Sequence, residues 1–342
     1  MATLKELSER TGYSAATISR VLNADPTFSV PEKVRRKILD EAGKTNYSGT
    51  RSGRGRPPKS VLRIGVAEML APEKQLDDPY YLYLSNYVKQ GCLDRKYTYI
   101  LLERRGDSFV LSHNERLDGI IAIGLFSVAQ IESLSSLTPN VVFVDSSPFE
   151  SRFDSVVLGY ELGISLALEH LFNLNHTKIG FVGPSFKYNG RLQTAPEIRR
   201  ELFLKLMKAR GLYNPEFMIE ATMEIDATIK AWKAYLEAGK ELPSAVLCAN
   251  EENAMGTINC LQQEGYSIPE DISVVSFNDT PRSALVTPAL TSVSINTREM
   301  ANTALRMLAE RASVNGKTPT RTIPLKVLVP PGIVERASTS EL

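Results

Sequence analysis

Hydrophobic and polar positions follow two different patterns along the chain. Near the N-terminus, apolar residues recur at helical spacing, with Leu4 and Leu7 on one face of a first helix and Ile18 and Val21 on one face of a second. From Val61 onward, short apolar runs such as LDGIIAIG alternate with helical patterns. That alternation is typical of parallel sheets flanked by helices. The sequence therefore predicts a small all-α domain followed by an α/β region.

The first pattern predicts two short helices joined by a tight turn. Thr3 and Glu6 have the spacing of a capping box, which would start the first helix. Gly12 suits a turn with positive φ, and Ser14 is a natural N-cap for the second helix. A third helix is predicted with Ser29 as its N-cap. Three helices would then form a small headpiece.

The second helix has the small, polar face that a recognition helix places in the major groove of DNA. Hydroxyl and guanidinium groups reach phosphates or base edges there, and alanine methyls touch thymine methyls. The residues assigned to groove contact are Ala15, Ala16, Thr17, Ser19 and Arg20. A helical hairpin used for protein contact is the alternative. The distribution of charge favours DNA contact over protein contact. Residues 1–60 contain 12 Lys and Arg against 6 acidic residues, whereas the remainder contains 28 Lys and Arg against 33 acidic residues.

A linker is predicted after the headpiece. Residues 46–60, NYSGTRSGRGRPPKS, lose hydrophobic periodicity and gather Gly, Pro, Ser and basic residues. Within them, Arg54-Gly55-Arg56-Pro57 resembles the core of an AT-hook, an extended strand that lies in a narrow A·T minor groove. Two interpretations of Arg54 and Arg56 stay open, minor-groove contact and a flexible, solvated basic tether.

The α/β region divides into two lobes. Strands are predicted over VLRIGVA, YTYILLE, LDGIIAIG and NVVFVD in the first and over TKIGFVG, FMIEATM, SAVLCAN and ISVVSFND in the second. The helix MANTALRMLAERA and strands around RTIPLKVLV close the chain, which indicates that the lobes exchange segments. The predicted domains are a headpiece (1–48), a basic Gly/Pro linker (49–60) and a core (61–342) whose first lobe takes about 61–158 plus a late segment and whose second takes about 159–290 plus the C-terminal strands.

Polar residues follow several of the predicted strands. In open parallel sheets, ligands bind at the carboxyl ends of the strands. The candidate ligand-binding residues are Asp145, Asn250 and Asn278 at strand ends, Arg199 in the helix after GFVG, and Asp78, Tyr80 and Tyr81 at the start of the first core helix. Carboxylates and amides pair with adjacent hydroxyls, arginine donates to oxygens, and an aromatic face covers the C–H surface of a sugar. Taken singly, each residue is better explained as a helix cap or a loop hydrogen bond, but together they favour a sugar ligand.

Other classes of function lack their signatures. The sequence has no G-x-G-x-x-G, P-loop, G-x-S-x-G or H-E-x-x-H motif, and its three histidines lack metal-ligand spacing. An enzyme on an α/β cleft is therefore not expected, nor is a cofactor or metal. Three scattered cysteines fit a reducing cytoplasm. The N-terminus lacks a signal-peptide pattern and no run of about 18 apolar residues occurs, which disfavours a membrane protein and an exported sugar-binding transport protein.

The segment TLKELSERTGYSAATISRVLN resembles the headpiece of the lactose/galactose repressor (LacI/GalR) family of DNA-binding transcriptional regulators. The positions that match the family pattern are Thr3, Glu6, Gly12, Ser14, Thr17, Ser19, Arg20 and Asn23. The resemblance adds Thr3, Ser14 and Asn23 to the residues expected at the DNA. Ser8 and Thr11 stand where alanines are usual and Tyr13 replaces a valine, which should alter headpiece packing more than groove contact. The family's minor-groove leucine has no match in the linker.

Motifs of the core extend this resemblance nearly to the C-terminus. LDGIIAIG, HLFNLNHTKIGFVG, SAVLCAN and SIPEDISVVSFNDTPRSALVTPALTSVSI are similar to the family's two-lobed, periplasmic-binding-protein-like core. The resemblance implies that a small sugar effector contacts Asp145, Arg199, Asn250 and Asn278. Asn278 stands where aspartate is common, and Thr297 stands where some members have an aromatic residue. DDPYYL and SFND are most similar to the galactoside-responsive branch, which includes the galactose and evolved β-galactosidase repressors.

These features predict a cytoplasmic repressor of a carbohydrate-utilisation operon. One headpiece offers few contacts, so a homodimer on palindromic operator DNA is expected. A sugar that closes the cleft would change the spacing of the two heads and release the operator. The C-terminal residues VERASTSEL contain no leucine heptads, so a tetramer formed through a tail zipper is not expected.

Overall fold

The computed structural model describes most of the chain, namely residues 4–22, 28–45, 62–70, 79–111, 116–189, 192–312 and 318–342. Contacts between residues divide the chain into two compact units, Met1–Lys59 and Ser60–Leu342. Each unit contains its own cluster of buried apolar side chains. Within the described ranges, no helix combines the length and the apolar character needed to cross a bilayer.

The N-terminal unit contains the helices α1 (Leu4–Thr11), α2 (Ala15–Leu22) and α3 (Glu32–Lys44). Leu7, Ile18 and Ile38, one from each helix, are fully buried at the centre of its core. The predicted helix-turn-helix is confirmed. The third helix begins after the predicted cap Ser29, because the carbonyl oxygen of Pro31 accepts its first helical hydrogen bond.

Strands and helices alternate along the core unit. Its helices are α4 (Pro79–Asp94), α5 (Val128–Leu137), α6 (Tyr160–Asn173), α7 (Ile198–Ala209), α8 (Ile225–Glu237), α9 (Glu251–Gln263) and α10 (Thr297–Arg311). Its strands are β1 (Arg63–Glu68), β2 (Thr98–Leu101), β3 (Glu103–Arg105), β4 (Ser108–Val110), β5 (Gly119–Ile123), β6 (Val141–Val144), β7 (Asp154–Leu158), β8 (Ile179–Gly183), β9 (Phe186–Asn189), β10 (Leu192–Pro196), β11 (Met218–Glu220), β12 (Ala245–Cys248), β13 (Ser273–Asn278), β14 (Thr291–Ser294), β15 (Lys326–Val329) and β16 (Gly332–Val334).

Two six-stranded sheets form the two lobes. The first has the strand order β15-β7-β6-β5-β1-β2, with every neighbouring pair parallel. The second has the order β11-β8-β12-β13-β14-β16, in which only β16 is antiparallel to its neighbour. Two hairpins, β3–β4 and β9–β10, lie outside these sheets. The predicted α/β architecture of parallel sheets flanked by helices is confirmed.

The chain passes from one lobe to the other between β7 and α6, between β14 and α10, and between β15 and β16. After β14 of the second sheet, α10 packs against α4 and against strands of the first sheet. β15 then pairs with β7, with Lys326 opposite Ser155. Both α10 and β15 therefore pack with the first lobe. Of the C-terminal strands assigned to the second lobe, however, β15 belongs to the first sheet and β16 to the second.

A buried carboxylate fixes this late segment on the first lobe. Asp154, at the start of β7, has no exposed surface and accepts hydrogen bonds from both terminal nitrogens of Arg321, each at 2.8 Å. The same carboxylate accepts from the Leu325 amide at 2.7 Å. The hydrogen bonds to Asp154 are the main cause of the raised pKa of Arg321. Because a buried carboxylate needs partners of this kind, the contact holds β15 against the first sheet.

The segment after β16 packs on the second lobe. Ser338 is fully buried, and its hydroxyl accepts from the Thr291 amide at 2.8 Å and donates to the Val274 carbonyl oxygen at 2.6 Å. Nε2 of His176 lies 3.0 Å from the carbonyl oxygen of Ser340. Burial lowers the pKa of His176, so the neutral ring is favoured in the folded chain.

Candidate DNA-binding surface and ligand cleft

α2 presents a small polar surface to solvent. The Ser14 hydroxyl oxygen accepts a hydrogen bond from the Thr17 amide at 3.2 Å, which caps the helix. Of the groove-contact candidates, Ser14, Ala15, Ala16 and Arg20 are exposed and Thr17 and Ser19 are partly exposed. The DNA-contact candidates Thr3, Asn23, Arg54 and Arg56 lie outside the described residues, as does the ligand candidate Asp78.

Three residues that depart from the family pattern act on the turn between α1 and α2. The Ser8 hydroxyl donates to the carbonyl oxygen of Tyr13 at 2.6 Å, and the Thr11 hydroxyl donates to that of Leu7 at 2.7 Å. The Tyr13 ring packs against the core of the headpiece. Gly12 has a φ of +78°, the left-handed conformation that the turn requires. All three departures therefore bear on how the headpiece packs.

Arg20 is held at the surface by an aromatic ring. Its guanidinium carbon lies 5.1 Å from the centroid of Phe28. Phe28 in turn packs against the core of the headpiece. This cation–π contact limits the rotamers of the long side chain, so a contact between Arg20 and a base or a phosphate would cost less conformational entropy.

In the core unit, Asp145 stands at the centre of a polar cluster. It follows β6 with a φ of +68°, a conformation that aspartate adopts more readily than most residues. One carboxylate oxygen accepts from the Tyr81 hydroxyl at 2.9 Å, and the other accepts from the Tyr160 hydroxyl at 2.9 Å. Tyr81 lies at the start of α4 in the first lobe, and Tyr160 begins α6 against the second. Asp145 therefore joins the two lobes.

Tyr160 connects Asp145 to an aromatic wall. Its ring stacks on that of Phe277, with centroids 6.1 Å apart and 19° between the planes. Burial, followed by the nearby charge of Asp145, raises the pKa of Tyr160 well above its ordinary value, so its hydroxyl remains a donor. Lys187, on the β9–β10 hairpin, places its ammonium 5.0 Å from the Tyr160 centroid.

Arg199 lies beside the same two rings. Its guanidinium carbon is 5.9 Å from the centroid of Tyr160 and 5.5 Å from that of Phe277. It donates to a Glu197 carboxylate oxygen at 2.7 Å and to the Ala249 carbonyl oxygen at 2.6 Å. Burial raises the pKa of Glu197, but the charge and hydrogen bonds of Arg199 outweigh burial, so the net shift is downward. Arg199 and Glu197 therefore form a buried ion pair at the start of α7.

Asn250 serves as a helix cap. Its side-chain oxygen accepts from the Asn253 amide at 2.9 Å at the start of α9, and its amide nitrogen donates to Glu252 at 3.0 Å. Glu252 also pairs with Arg282 at 2.8 Å. Because the oxygen and the nitrogen of the Asn250 side-chain amide each already form one hydrogen bond, a ligand would bind it only through the second lone pair or the second N–H.

A cavity of about 340 Å³ adjoins the Asp145 cluster, and we call it the tyrosine cavity. Its wall includes Tyr80, Tyr83 and Tyr87 from α4, Asn278 at the end of β13 with Asp279 after it, and Asn296 before α10. Asn278 has a φ of +100°. Among the described residues, nothing forms a hydrogen bond with its side chain. A strained backbone that presents a free amide to a cavity is typical of a binding position.

The structure brings the predicted ligand residues together in two adjacent groups. Asp145, Tyr81 and Arg199 share the cluster around Tyr160, whereas Tyr80 and Asn278 line the tyrosine cavity. Asn250 lies close by through the contact between Arg199 and Ala249. Four residues of the cluster are not among those predicted from the sequence, namely Tyr160, Glu197, Phe277 and Lys187. Phe277, directly before Asn278, and Glu197, two residues before Arg199, each stood near a predicted residue.

Comparison with known proteins finds similarity over nearly the whole chain. A family model described as a periplasmic binding protein-like domain matches residues 168–339. The transcriptional regulator GalR of Streptococcus thermophilus is 30% identical, with 94% of this chain and 96% of that protein covered. The transcriptional repressor MelR of Bacillus subtilis is 28% identical, with 99% and 97% covered. Both relatives are described as helix-turn-helix (HTH) type.

A solved structure shares the fold. The crystal structure of the lac repressor dimer bound to operator and the anti-inducer ONPF superposes with a TM-score of 0.67 over 99% of each chain, at 24% identity. At this identity the likeness establishes the fold alone.

Proposed function

The chain belongs to the LacI/GalR family of DNA-binding transcriptional regulators, and from that premise we propose that it represses carbohydrate-utilisation genes and leaves its operator when a small sugar binds. As a member of this family it is a regulator and not an enzyme. The observation that carries the sugar assignment is the Asp145 cluster, in which hydroxyl groups from both lobes already bind one carboxylate.

The surface of α2 supports the DNA contact. Its first turns expose alanine methyls, hydroxyls and the Arg20 guanidinium, which are groups that read base edges and phosphates in the major groove. Ser14 begins this helix with its hydroxyl close to that of Thr17, at 2.9 Å. We assign operator contact to these residues and to Thr3 and Asn23, which flank them in sequence.

The chemistry of the cleft supports a sugar. The Tyr81 and Tyr160 hydroxyls bind Asp145 in the way that two adjacent sugar hydroxyls would, so a saccharide can exchange with them. The rings of Tyr160 and Phe277 offer an apolar face, and Arg199 supplies a donor next to them. We assign effector contact to Asp78, Tyr80, Tyr81, Asp145, Arg199, Asn250 and Asn278, together with Tyr160 and Glu197.

Coupling between the sugar and the DNA follows from how Asp145 joins the lobes. A ligand that replaces one tyrosine hydroxyl on Asp145 changes the contact between the lobes. It shifts the equilibrium between two lobe arrangements only if it binds one of them more tightly. We propose that the chain acts as a homodimer in the cytoplasm, on an operator whose palindrome matches the two headpieces. The sugar-bound arrangement then changes the spacing of the two heads.

A galactoside is the effector class that we propose, on the resemblance of DDPYYL and SFND to the galactoside-responsive branch. A thermal-shift screen tests this with galactosides, glucosides and phosphorylated sugars, each repeated with Asp145→Ala and Arg199→Ala. Stabilisation by a galactoside that both variants abolish is the expected result. If glucosides stabilise the chain and galactosides do not, the galactoside assignment is wrong. If no saccharide stabilises it, the sugar assignment itself is wrong.

A further inference from the structure

Tyr13 lies in the turn that leads into α2, and several contacts fix its position. The Ser8 hydroxyl donates to its carbonyl oxygen at 2.6 Å, and its own amide donates to the Thr11 hydroxyl oxygen at 3.4 Å. The Tyr13 ring packs against the headpiece core and remains partly exposed. Because Ser14, the cap of α2, follows directly, the ring lies beside the N-terminal end of the helix that we assign to the groove.

The ammonium group of Lys37 lies over this ring. Lys37 belongs to α3 and is exposed, and its Nζ is 5.6 Å from the centroid of Tyr13. A cation–π contact attracts the ammonium to the ring and restricts a long, flexible side chain to fewer rotamers. Tyr13 therefore holds one positive charge of α3 beside the start of α2.

The charge of Lys37 is available to a partner outside the protein. Glu41 follows Lys37 by one helical turn, but it already pairs with Lys44 at 2.9 Å. Lys44 is the main cause of the lowered pKa of Glu41, and Arg10 and Lys37 contribute less. Among the described residues, neither Arg10 nor Lys37 forms an ion pair. Three cations against Asp40 and Glu41 leave this side of the headpiece positive, which favours an approach to phosphates.

The position of the Lys37 ammonium suits a phosphate that borders the groove. The major groove is about 12 Å wide, and the N-terminal residues of a recognition helix reach its base edges. A group that lies beside this end of α2 is therefore close to one of the two phosphate strands. Lysine binds phosphate as a point charge, and such contacts set the orientation of a protein on the duplex without reading its sequence.

We infer that Lys37 contacts an operator phosphate and that Tyr13 is its positioning residue, which holds the ammonium beside the start of α2 before DNA binds. This inference rests on the proposed function, because it assumes that α2 enters the operator. It adds a DNA contact from α3. It also gives a physical role to a tyrosine that stands where the family pattern has a valine. Because the side chain is already restricted, its contact with a phosphate costs less conformational entropy.

Fluorescence anisotropy of the full-length chain over a series of salt concentrations tests the contact. The probes are a duplex that the wild-type chain selects from a randomised library and a duplex of scrambled sequence. We expect Lys37→Gln to weaken binding to both duplexes and to reduce the slope of log affinity against log salt by about one for each bound headpiece. The matched control is Lys44→Gln, which removes a lysine of the same helix that is already paired with Glu41 and should leave the slope nearly unchanged.

Variants of Tyr13 test the positioning role. Tyr13→Val should weaken binding to the selected duplex about fivefold or more, because two headpieces each lose a cation–π contact. The salt slope should stay the same, since Lys37 keeps its charge. Tyr13→Phe keeps the ring and should bind as the wild type does. In a Lys37→Gln background, Tyr13→Val should have little further effect, because the two residues act as one unit.

The outcomes separate the inference from the proposed function. A wild-type salt slope in Lys37→Gln would overturn the phosphate contact while leaving the proposed function intact. Equal weakening by Tyr13→Val with and without Lys37 would show that Tyr13 acts only through packing, and it would overturn the positioning role. If the wild type selects no duplex from the library, the proposed function fails and the inference fails with it.

Discussion

Asp145 has a backbone conformation that asparagine also adopts readily, so its charge can be removed with little change in shape. We expect Asp145→Asn to remain folded and to weaken sugar binding about 10- to 100-fold, because a hydrogen bond to a charged group contributes about 1.5–3 kcal/mol. Calorimetric titration with the sugar that stabilises the wild type measures this. The control is Asp94→Asn, an exposed aspartate at the end of α4. Unchanged affinity in Asp145→Asn contradicts the assignment.

His176 makes the stability of the second lobe depend on pH. Burial lowers its pKa below the ordinary 6.5, so at acidic pH the unfolded chain binds a proton that the folded chain resists. The stabilising contribution is therefore complete above about pH 6.5 and is lost as the pH falls below it. His170 contributes to stability with the same pH dependence, because burial lowers its pKa and the charge of Glu335 only partly opposes that shift.

We expect the midpoint of urea unfolding to decrease between pH 7.5 and pH 5, and to decrease less in His176→Gln. A His170→Gln/His176→Gln double variant should decrease least. Equal pH profiles for the wild type and both variants would show that these rings do not couple folding to protonation.

Single residues of the ligand site differ in how far the sequence predicts them. Asp145 and Arg199 stand at a strand end and at a helix start, which are positions that any parallel α/β sheet directs toward its cleft. Tyr160 and Phe277 reach the same cluster only because α6 and β13 pack next to each other in the second lobe. No local spacing connects two residues so distant in sequence. Their role therefore required the structure.

Among the elements, β7, β14, α5, α8 and the hairpins β3–β4 and β9–β10 are absent from those predicted. β7 (DSVVL) begins with two polar residues and β14 (TSVS) contains a single apolar residue, so their apolar runs are weak signals. α8 is different, because Ile225, Ile229, Trp232 and Leu236 follow helical spacing and Trp232 is fully buried. Its pattern was present in the sequence. The position of β15 beside β7 in the first sheet could not be predicted from local pattern, because it is fixed by the buried ion pair of Asp154 and Arg321.

That pair gives a prediction for the late segment. We expect Arg321→Ala to reduce the free energy of unfolding by about 3–5 kcal/mol, because it leaves Asp154 as a buried charge without its main partner. Chemical denaturation measures the change. Asp154→Asn/Arg321→Met removes both charges and should cost less than Arg321→Ala alone. Arg105→Ala breaks an exposed pair with Glu103 and should leave the free energy of unfolding nearly unchanged. Similar losses in Arg321→Ala and Arg105→Ala would contradict the account.

The linker gives a prediction for DNA binding. If Arg54 and Arg56 enter the minor groove, Arg54→Ala/Arg56→Ala should weaken binding to an operator with an A·T centre more than to one with a G·C centre. We expect this outcome in fluorescence anisotropy at moderate salt. Lys33→Ala/Arg36→Ala removes two exposed charges from α3 and should weaken both operators equally. Unchanged binding by the linker variant at moderate salt would favour the solvated tether.

In the whole molecule, charge and fold divide the chain in the same place. The first 60 residues carry an excess of basic residues and the remainder an excess of acidic ones, which directs the headpiece toward DNA. The two-lobed core was predictable because short apolar runs and helical patterns alternate along it. The exchange of strands between lobes was predictable only in outline, since it is fixed by contacts between residues more than 150 positions apart, such as Asp154 and Leu325.

The most direct test of the account is a footprint of the full-length chain on its operator, with and without the sugar that stabilises it. We predict one protected palindrome, lost when that sugar is added and weakened in Arg20→Ala. Attachment that depends only on salt and not on sequence would contradict the account. So would a footprint that persists with every sugar that binds the chain.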